Sequence, residues 1–286
     1  MTDLRLKDRL AGDGIIVAPG IYDHISLLMA NDVGFDAVYA SGYWGTASAK
    51  GEPDVGIAGY SDFIRWFASF VEKSNAPVIA DADTGFGSIA NLAHAVRGYQ
   101  RAGIAAIQIE DQPFPKICGH VGRSRAVPTH EMETRIRVAV DARGSGDMLI
   151  IARTDARATE GLAAALQRLH HYSAAGADIL FLEAAESGDE IRQASIALDK
   201  PLMINAAHGG KTPIVNPDQY AALGVKIVIY PAGAALCAAQ AAASFYRNLK
   251  SGEANAELVG MFDFSEMSRH LGMDDIIALQ DHHHLS

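Results

Sequence analysis

The stretch Val78-Ile79-Ala80-Asp81-Ala82-Asp83-Thr84-Gly85-Phe86-Gly87 opens as an uninterrupted apolar run and closes on two carboxylates and a glycine-rich turn. A short run that is apolar on both alternating faces is the pattern of a strand covered on both sides, as in a parallel sheet. Reading 78–82 as a strand, alternation places Asp81 and Asp83 on one face, about 6 to 7 Å apart. Ala106-Ile107-Gln108-Ile109-Glu110-Asp111 repeats the arrangement, so a third acid arrives at the end of the next strand. Three converging carboxylates do not all stay ionised cheaply without a cation among them, and a divalent metal is the simplest that serves. Close by, Lys116-Ile117-Cys118-Gly119-His120 carries an ammonium, a thiol and an imidazole in one short loop.

Outward from this stretch the chain keeps one rhythm: an apolar run, a polar or glycine-containing turn, then ten to eighteen residues at helical spacing. The predicted strands are 15–18, 37–41, 78–82, 106–110, 149–153, 179–183, 202–205 and 227–230. The predicted helices are 24–33, 60–74, 88–102, 130–144, 159–175, 187–197, 216–223 and 232–250. Ser61-Asp62, Ser88, Pro128-Thr129 and Asn216-Pro217-Asp218 supply start signals, and Gly103 or Gly224 just before a strand supplies a left-handed stop. Eight strand-helix units on short connections favour a closed (β/α)₈ barrel, and no G-x-G-x-x-G follows the first strand to favour a doubly wound sheet. Functional side chains of such a barrel lie at the C-terminal ends of its strands. Asp81, Asp83, Glu110, Arg153, Glu183 and Asn205 all fall there. Residues 1–250 are read as the barrel, opened by an amphipathic N-terminal helix. Residues 251–286 are read as a helical extension whose Met261, Phe262, Phe264, Ile276 and Ile277 are too apolar to leave in water, and which is expected to pack on a neighbouring subunit or across the barrel's outside.

Asp and Glu outnumber Lys and Arg by 34 to 24, giving a formal net charge of −10, which repels a phosphate backbone and argues against a nucleic-acid surface. A small anionic substrate remains possible where Arg, Lys and a metal gather locally. With 49% hydrophobic and 20% charged residues the chain is an ordinary globular one, and no apolar run suits a signal peptide or a membrane span, so a cytoplasmic protein without a membrane partner is expected. Two cysteines, Cys118 and Cys237, make no disulfide framework.

Asp81-Ala82-Asp83-Thr84-Gly85-Phe86-Gly87 and Lys116-Ile117-Cys118-Gly119-His120, together with Ser41-Gly42, Gly51-Glu52-Pro53-Asp54, Ile109-Glu110-Asp111-Gln112, Ile151-Ala152-Arg153-Thr154-Asp155, Gly210-Lys211-Thr212-Pro213 and Tyr230-Pro231, resemble the isocitrate lyase and phosphoenolpyruvate mutase superfamily. The nearest branch is that of methylisocitrate lyase, 2,3-dimethylmalate lyase and other alkylmalate-type lyases. The resemblance implies a homotetramer with C-terminal helices exchanged between subunits and a Mg²⁺ site, with Mn²⁺ as a possible substitute. It makes Asp81 the direct metal ligand and Asp54, Asp83 and Glu110 the acids that hold metal-bound water. Ser41, Gly42 and Tyr43 match a loop gripping the oxo-acid portion of the substrate. Arg153 matches the guanidinium on its carboxylate or oxyanion. Trp44, Gly119, Glu183, Asn205, His208 and Pro231 complete the expected substrate contacts.

The chemistry implied is retro-aldol: a 2-hydroxy di- or tricarboxylate loses its hydroxyl proton, the C2–C3 bond breaks, and a 2-oxo acid leaves. Cys118 matches the acid that protonates the carbon left behind, with Lys116 and His120 biasing its thiol, and the Lys116–His120 segment is expected to act as a lid. Two positions depart from methylisocitrate lyase. Asn205-Ala206-Ala207-His208-Gly209-Gly210 stands where a Thr-Glu-Phe-Gly stretch follows the strand-seven asparagine, and Tyr43-Trp44 stands where smaller residues are common. Both imply a substrate smaller than methylisocitrate or differently shaped. Oxaloacetate hydrolysis to oxalate and acetate is the main alternative, followed by oxaloacetate decarboxylation, a phosphonopyruvate-type reaction and a non-catalytic binding barrel.

Overall fold

The computed structural model describes residues 5–116, 125–252 and 260–283. Eight strands, β1 (Ile16–Ile21), β2 (Val38–Ala40), β3 (Val78–Asp81), β4 (Ala106–Glu110), β5 (Leu149–Thr154), β6 (Ile179–Leu182), β7 (Leu202–Asn205) and β8 (Ile227–Tyr230), pair in sequence order as a closed parallel barrel. Closure is made by β1 against β8, from Ile16 opposite Ile227 to Pro19 opposite Tyr230. The helices are α1 (Leu6–Ala11), α2 (His24–Val33), α3 (Gly42–Lys50), α4 (Tyr60–Lys73), α5 (Ile89–Arg101), α6 (Thr129–Arg143), α7 (Arg157–Glu160), α8 (Leu162–Ala174), α9 (Gly188–Ala197), α10 (Pro217–Ala222), α11 (Gly233–Ser251), α12 (Phe264–His270) and α13 (Met273–His282). The chain divides into two compact units, Met1–Ala234 and Ala235–Ser286.

Alternation along each strand sorts the apolar side chains into two layers. Ile16, Tyr39, Ile79, Ile151, Phe181 and Met203 fill the inside of the barrel, and Leu6 of α1 joins that cluster, which is why the amphipathic start of the chain is helical and tied down. The outward residues of the strands meet the inner faces of the helices, as where Phe63, Phe67 and Phe70 of α4 pack with Tyr99 of α5. The start and stop signals work as expected: Asn216 caps α10 by accepting from the Gln219 N–H with Pro217 at the first turn, and Gly103 has φ +80° just before β4.

Two helices differ from the sequence reading. α3 was not expected, because Gly42-Tyr43-Trp44-Gly45-Thr46-Ala47 has neither strong helical propensity nor clear periodicity; Ser41 starts it by capping the Trp44 N–H. The helix expected over 159–175 is split at Gly161, whose φ of +86° separates α7 from α8.

Barrel closure leaves no room at Gly20. A Cβ there would lie 2.4 Å from the carbonyl oxygen of Pro231 and 2.5 Å from its Cα, both backbone atoms that cannot rotate away. Gly20→Ala is expected to cost about 3 kcal/mol of stability, read as a lower urea midpoint at unchanged slope.

In the second unit, α12 begins on Asp263, which accepts from the Glu266 N–H. Phe264, Leu271, Ile276 and Leu279 are all more than half exposed. Among the described residues no helix is long and apolar enough to cross a membrane.

Candidate active site

β3 ends at Asp81, and the chain then leaves extended geometry at once, with Asp83 at φ +48° and Phe86 at φ +62°. Asp83 is therefore not the next same-face residue of a strand, as alternation had it. Its backbone N–H turns in to donate to Asp81 Oδ1 at 3.0 Å, so the two acids are neighbours through a turn. Such φ values in non-glycine residues cost energy and persist where the surroundings hold them. Gly42 leaves the space on the other side: a Cβ on it would sit 2.7 Å from Asp81 Oδ2.

Glu110 closes β4. Its Oε2 accepts from Gln108 Nε2 at 3.3 Å and lies 3.5 Å from Arg153 Nε, while its Oε1 is buried and accepts no hydrogen bond among the described residues. Asp54 comes from the segment between α3 and α4. Lys116 reaches it at 2.7 Å and Asp83 at 2.6 Å, with all three side chains buried. Burial alone would lower the Lys116 pKa, but Asp83, Asp81, Glu110 and Asp54 hold it well above the ordinary lysine value, so the ammonium stays charged. Burial pushes Glu110 up to about 7 despite Arg153 and Lys116.

Arg153 lies one residue from the end of β5. Asp155 accepts from its Nε and its Nη2, both at 2.9 Å, Glu183 lies 3.4 Å from Nη1, and the Phe181 ring lies beneath the guanidinium at 5.3 Å. Glu183 in turn accepts from Asn205 Nδ2 at 3.2 Å and from the Ala184 N–H at 3.0 Å.

These strand ends surround a cavity of about 270 Å³ lined by Asp54, Asp81, Glu110, Lys116, Arg153 and Asn205, with Ser41, Tyr43, Trp44, His208 and Pro231 completing its wall. Asp83 and Glu183 stand behind it, holding Lys116 and Arg153. Ser41, Gly42 and Tyr43 are not a loop but the cap and first turn of α3, which brings Tyr43 and Trp44, in edge contact at 5.0 Å, onto the cavity wall. Cys118, Gly119 and His120 lie outside the described residues. Two residues were missed. Tyr39, whose hydroxyl donates to Gln108 Oε1 at 2.8 Å, reaches the cavity from inside the barrel, though its apolar run reads only as core. Asp155 could have been found from alternation, which puts 153 and 155 on one face.

The donors gathered here are carboxylate oxygens, the set that a hard divalent cation takes, and Glu110 Oε1 is a buried acceptor with no partner among the described residues. Among the described residues no group of three or more His, Cys, Asp or Glu side chains is drawn together tightly enough to hold a metal ion by itself. The carboxylate donor set and the open Glu110 oxygen fit a Mg²⁺-like ion, which takes oxygen ligands and keeps several waters.

The rim beside Arg153 is tied by ion pairs: Arg157 reaches Glu190 at 2.6 Å and Glu186 at 3.0 Å, and Lys211 reaches Glu186 at 3.4 Å. The hydrogen bonds from Arg157 hold the Glu190 carboxyl below its ordinary value. A depressed folded value stabilises above the unfolded pKa of about 4.3 and loses its effect as pH falls through the folded value. Arg157→Gln is therefore expected to lower the stability read from urea unfolding at pH 7, by less than about 1 kcal/mol for so partly exposed a pair, and the difference is expected to shrink as pH falls through the folded value.

An eight-stranded parallel barrel with acids and a guanidinium gathered at the C-terminal ends of its strands has the layout of the catalytic face of a barrel enzyme. The family described as phosphoenolpyruvate phosphomutase matches residues 6–250. A 2,3-dimethylmalate lyase of Eubacterium barkeri is 38% identical over 276 residues, covering 96% of each chain. A 2-methylisocitrate lyase of Aeropyrum pernix is 42% identical over 228 residues, 80% of this chain and 73% of that one. The solved structure of an oxaloacetate acetylhydrolase in complex with 3,3-difluorooxalacetate superimposes with a TM-score of 0.92 at 30% identity, over 99% of this chain and 97% of that one. The chain belongs to the phosphoenolpyruvate mutase and isocitrate lyase superfamily, on its methylisocitrate lyase and dimethylmalate lyase side, and is a carbon–carbon lyase of that group.

Proposed function

We infer that this enzyme cleaves the C2–C3 bond of a small 2-hydroxydicarboxylate of the alkylmalate type, with Mg²⁺, to a 2-oxo acid and a carboxylate. The observation that carries the reading is the meeting of Asp81, Asp54, Glu110 and Arg153 on one small cavity. Asp81 would hold the metal directly, and Asp54, Asp83 and Glu110 would hold its waters. Bound there, Mg²⁺ supplies Lewis-acid stabilisation of negative charge on the substrate's oxygens.

Arg153 binds and orients the substrate carboxylate, kept in plane by Asp155 and Phe181. Glu110, buried beside Arg153 with its Oε1 accepting no hydrogen bond among the described residues, is placed to take the hydroxyl proton. The electrons of the C2–C3 bond pass to the departing carboxylate fragment, and its carbon takes a proton, for which the resemblance designates Cys118, with Lys116 and His120 near it in sequence.

Charge supports a dicarboxylate over a tricarboxylate. Among the described residues, Asp54, Asp81, Asp83, Glu110 and Asp155 gather around Lys116 and Arg153, which are already paired. Tyr43, Trp44 and Pro231 also line the cavity and offer apolar surface, and His208 adds an imidazole to its wall. Oxaloacetate hydrolysis is the second reading, favoured by the likeness to the acetylhydrolase over nearly the whole chain.

Incubation with Mg²⁺ and 2,3-dimethylmalate, 2-alkylmalates, 2-methylisocitrate, isocitrate, oxaloacetate or phosphonopyruvate, followed by assay for pyruvate, glyoxylate and oxalate, decides between them. The greatest kcat/KM is expected with an alkylated malate. Oxalate from oxaloacetate as the dominant product would favour the second reading, and no turnover at all would sink both.

The enzyme is further read as a cytoplasmic homotetramer in which the exposed apolar side chains Phe264, Leu271, Ile276 and Leu279 are covered by a second copy. Light scattering should give four times the chain mass, and Phe264→Asp with Ile276→Asp should lower it.

A further inference from the structure

Arg153 is the only guanidinium on the cavity wall among the described residues, and its aim is set by a residue that does not line the cavity. Asp155 is buried and gives both carboxylate oxygens to Arg153 Nε and Nη2, each at 2.9 Å. That fork fixes the plane of the guanidinium and leaves Nη1 toward Glu183. A buried pair of this kind is weak evidence for stability, because desolvating both charges offsets most of their attraction. Its geometry asks for another reason.

The reason continues one shell further out. The Asp155 backbone N–H donates to Asp111 Oδ1 at 3.0 Å, and the Thr154 hydroxyl and the Tyr172 hydroxyl donate to Asp111 Oδ2 at 2.6 and 2.7 Å. Asp111 is itself fully buried. Arg135 of α6 clamps the backbone on either side of it, donating Nη1 to the carbonyl of Glu110 at 3.1 Å and to that of Gln112 at 2.7 Å. A second carboxylate, with no cation among the described residues closer than Arg168 at 3.8 Å, is thus buried beside Asp155 and held by three hydrogen bonds. Its three acceptor contacts go to the end of β5 and to α8.

We propose that Asp155 is a positioning residue for Arg153, and that Asp111 is the anchor that holds the end of β5 so that Asp155 can do so. The proposal rests on the reading of Arg153 as the substrate-binding guanidinium. Asp155→Asn keeps the volume but turns an amide N–H₂ toward the guanidinium, so Arg153 loses the fork. On the best substrate of the panel, kcat/KM is expected to fall about 10²-fold, the usual effect of displacing a reacting group by about 1 Å. In the Arg153→Lys background the same substitution is expected to cost less than about 3-fold, because the residue through which it acts has gone. Full additivity would overturn the proposal, since a general loss of structure would act in both backgrounds.

The Mg²⁺-induced rise in melting temperature is expected to persist in Asp155→Asn, and its loss would show that Asp155 acts through the acids instead. Tyr172→Phe, a milder change that removes one donor to Asp111, is expected to give a 3- to 10-fold loss that also vanishes with Arg153→Lys. It keeps the question open to refutation should the first variant not fold. A wild-type enzyme inactive on the whole panel would count against the proposed function alone. The crystal structure of Asp155→Asn would still decide the positioning role, because an Arg153 guanidinium unmoved there would overturn it.

Discussion

Asp81→Ala is expected to abolish measurable turnover and, with it, the Mg²⁺-dependent rise in melting temperature. The side chain ends β3 on the cavity, and its Oδ2 is free of hydrogen bonds among the described residues, the Asp83 N–H being taken by Oδ1. Asp54 and Asp83 share the Lys116 ammonium, so neither substitutes for it without giving up a buried ion pair. A Lewis-acid centre is worth several kcal/mol in the transition state, and a loss of about 4 kcal/mol is about 10³-fold in rate. Thermal melts with and without excess Mg²⁺ check the binding half, since a ligand at 100 times its Kd stabilises by about 2.7 kcal/mol. An Asp81→Ala protein that kept the Mg²⁺ shift would return the direct-ligand role to another acid.

Arg153→Lys is the second large effect, with an expected 10²- to 10³-fold loss of kcat/KM at nearly unchanged melting temperature. Lysine preserves the charge but cannot give Asp155 two parallel N–H donors while leaving a third for substrate. It also forfeits the planar contact with Phe181, at 5.3 Å from the ring centre. The comparison of kcat and KM separates two roles. A rise in KM alone would mean that Arg153 binds ground state and transition state equally. An equal fall in kcat and kcat/KM would mean contact with charge that develops during bond cleavage.

The barrel was legible because parallel strands covered on both faces must be apolar throughout, and runs such as 149–153 and 227–230 can be little else. Seven of the eight helices expected around it are single helices within a residue or two of the observed bounds, whereas 159–175 broke at Gly161. α3 was invisible because its residues form a helix only once Ser41 caps it and Gly42 fits against Asp81 and Phe63. In the site, the acids were found for a partly mistaken reason: Asp81 and Asp83 meet through a left-handed turn, not through strand alternation. Lys116 had been read beside the thiol of its own loop, yet its ammonium is spent on Asp54 and Asp83, a partnership between distant segments that no spacing announces. Asp155 was passed over because a carboxylate just past a strand end reads as solvated until Arg153 is seen lying along it.

Lys116 also bears on how such a protein is made. Its ammonium is an internal counterion, already placed among Asp54 and Asp83 and held charged by the surrounding acids. The acidic end of the barrel can therefore close during synthesis without waiting for a metal, unlike a zinc finger, whose fold is bought by its ion. On the Mg²⁺ reading proposed above, a chelator is expected to stop turnover while leaving the circular dichroism of the barrel unchanged.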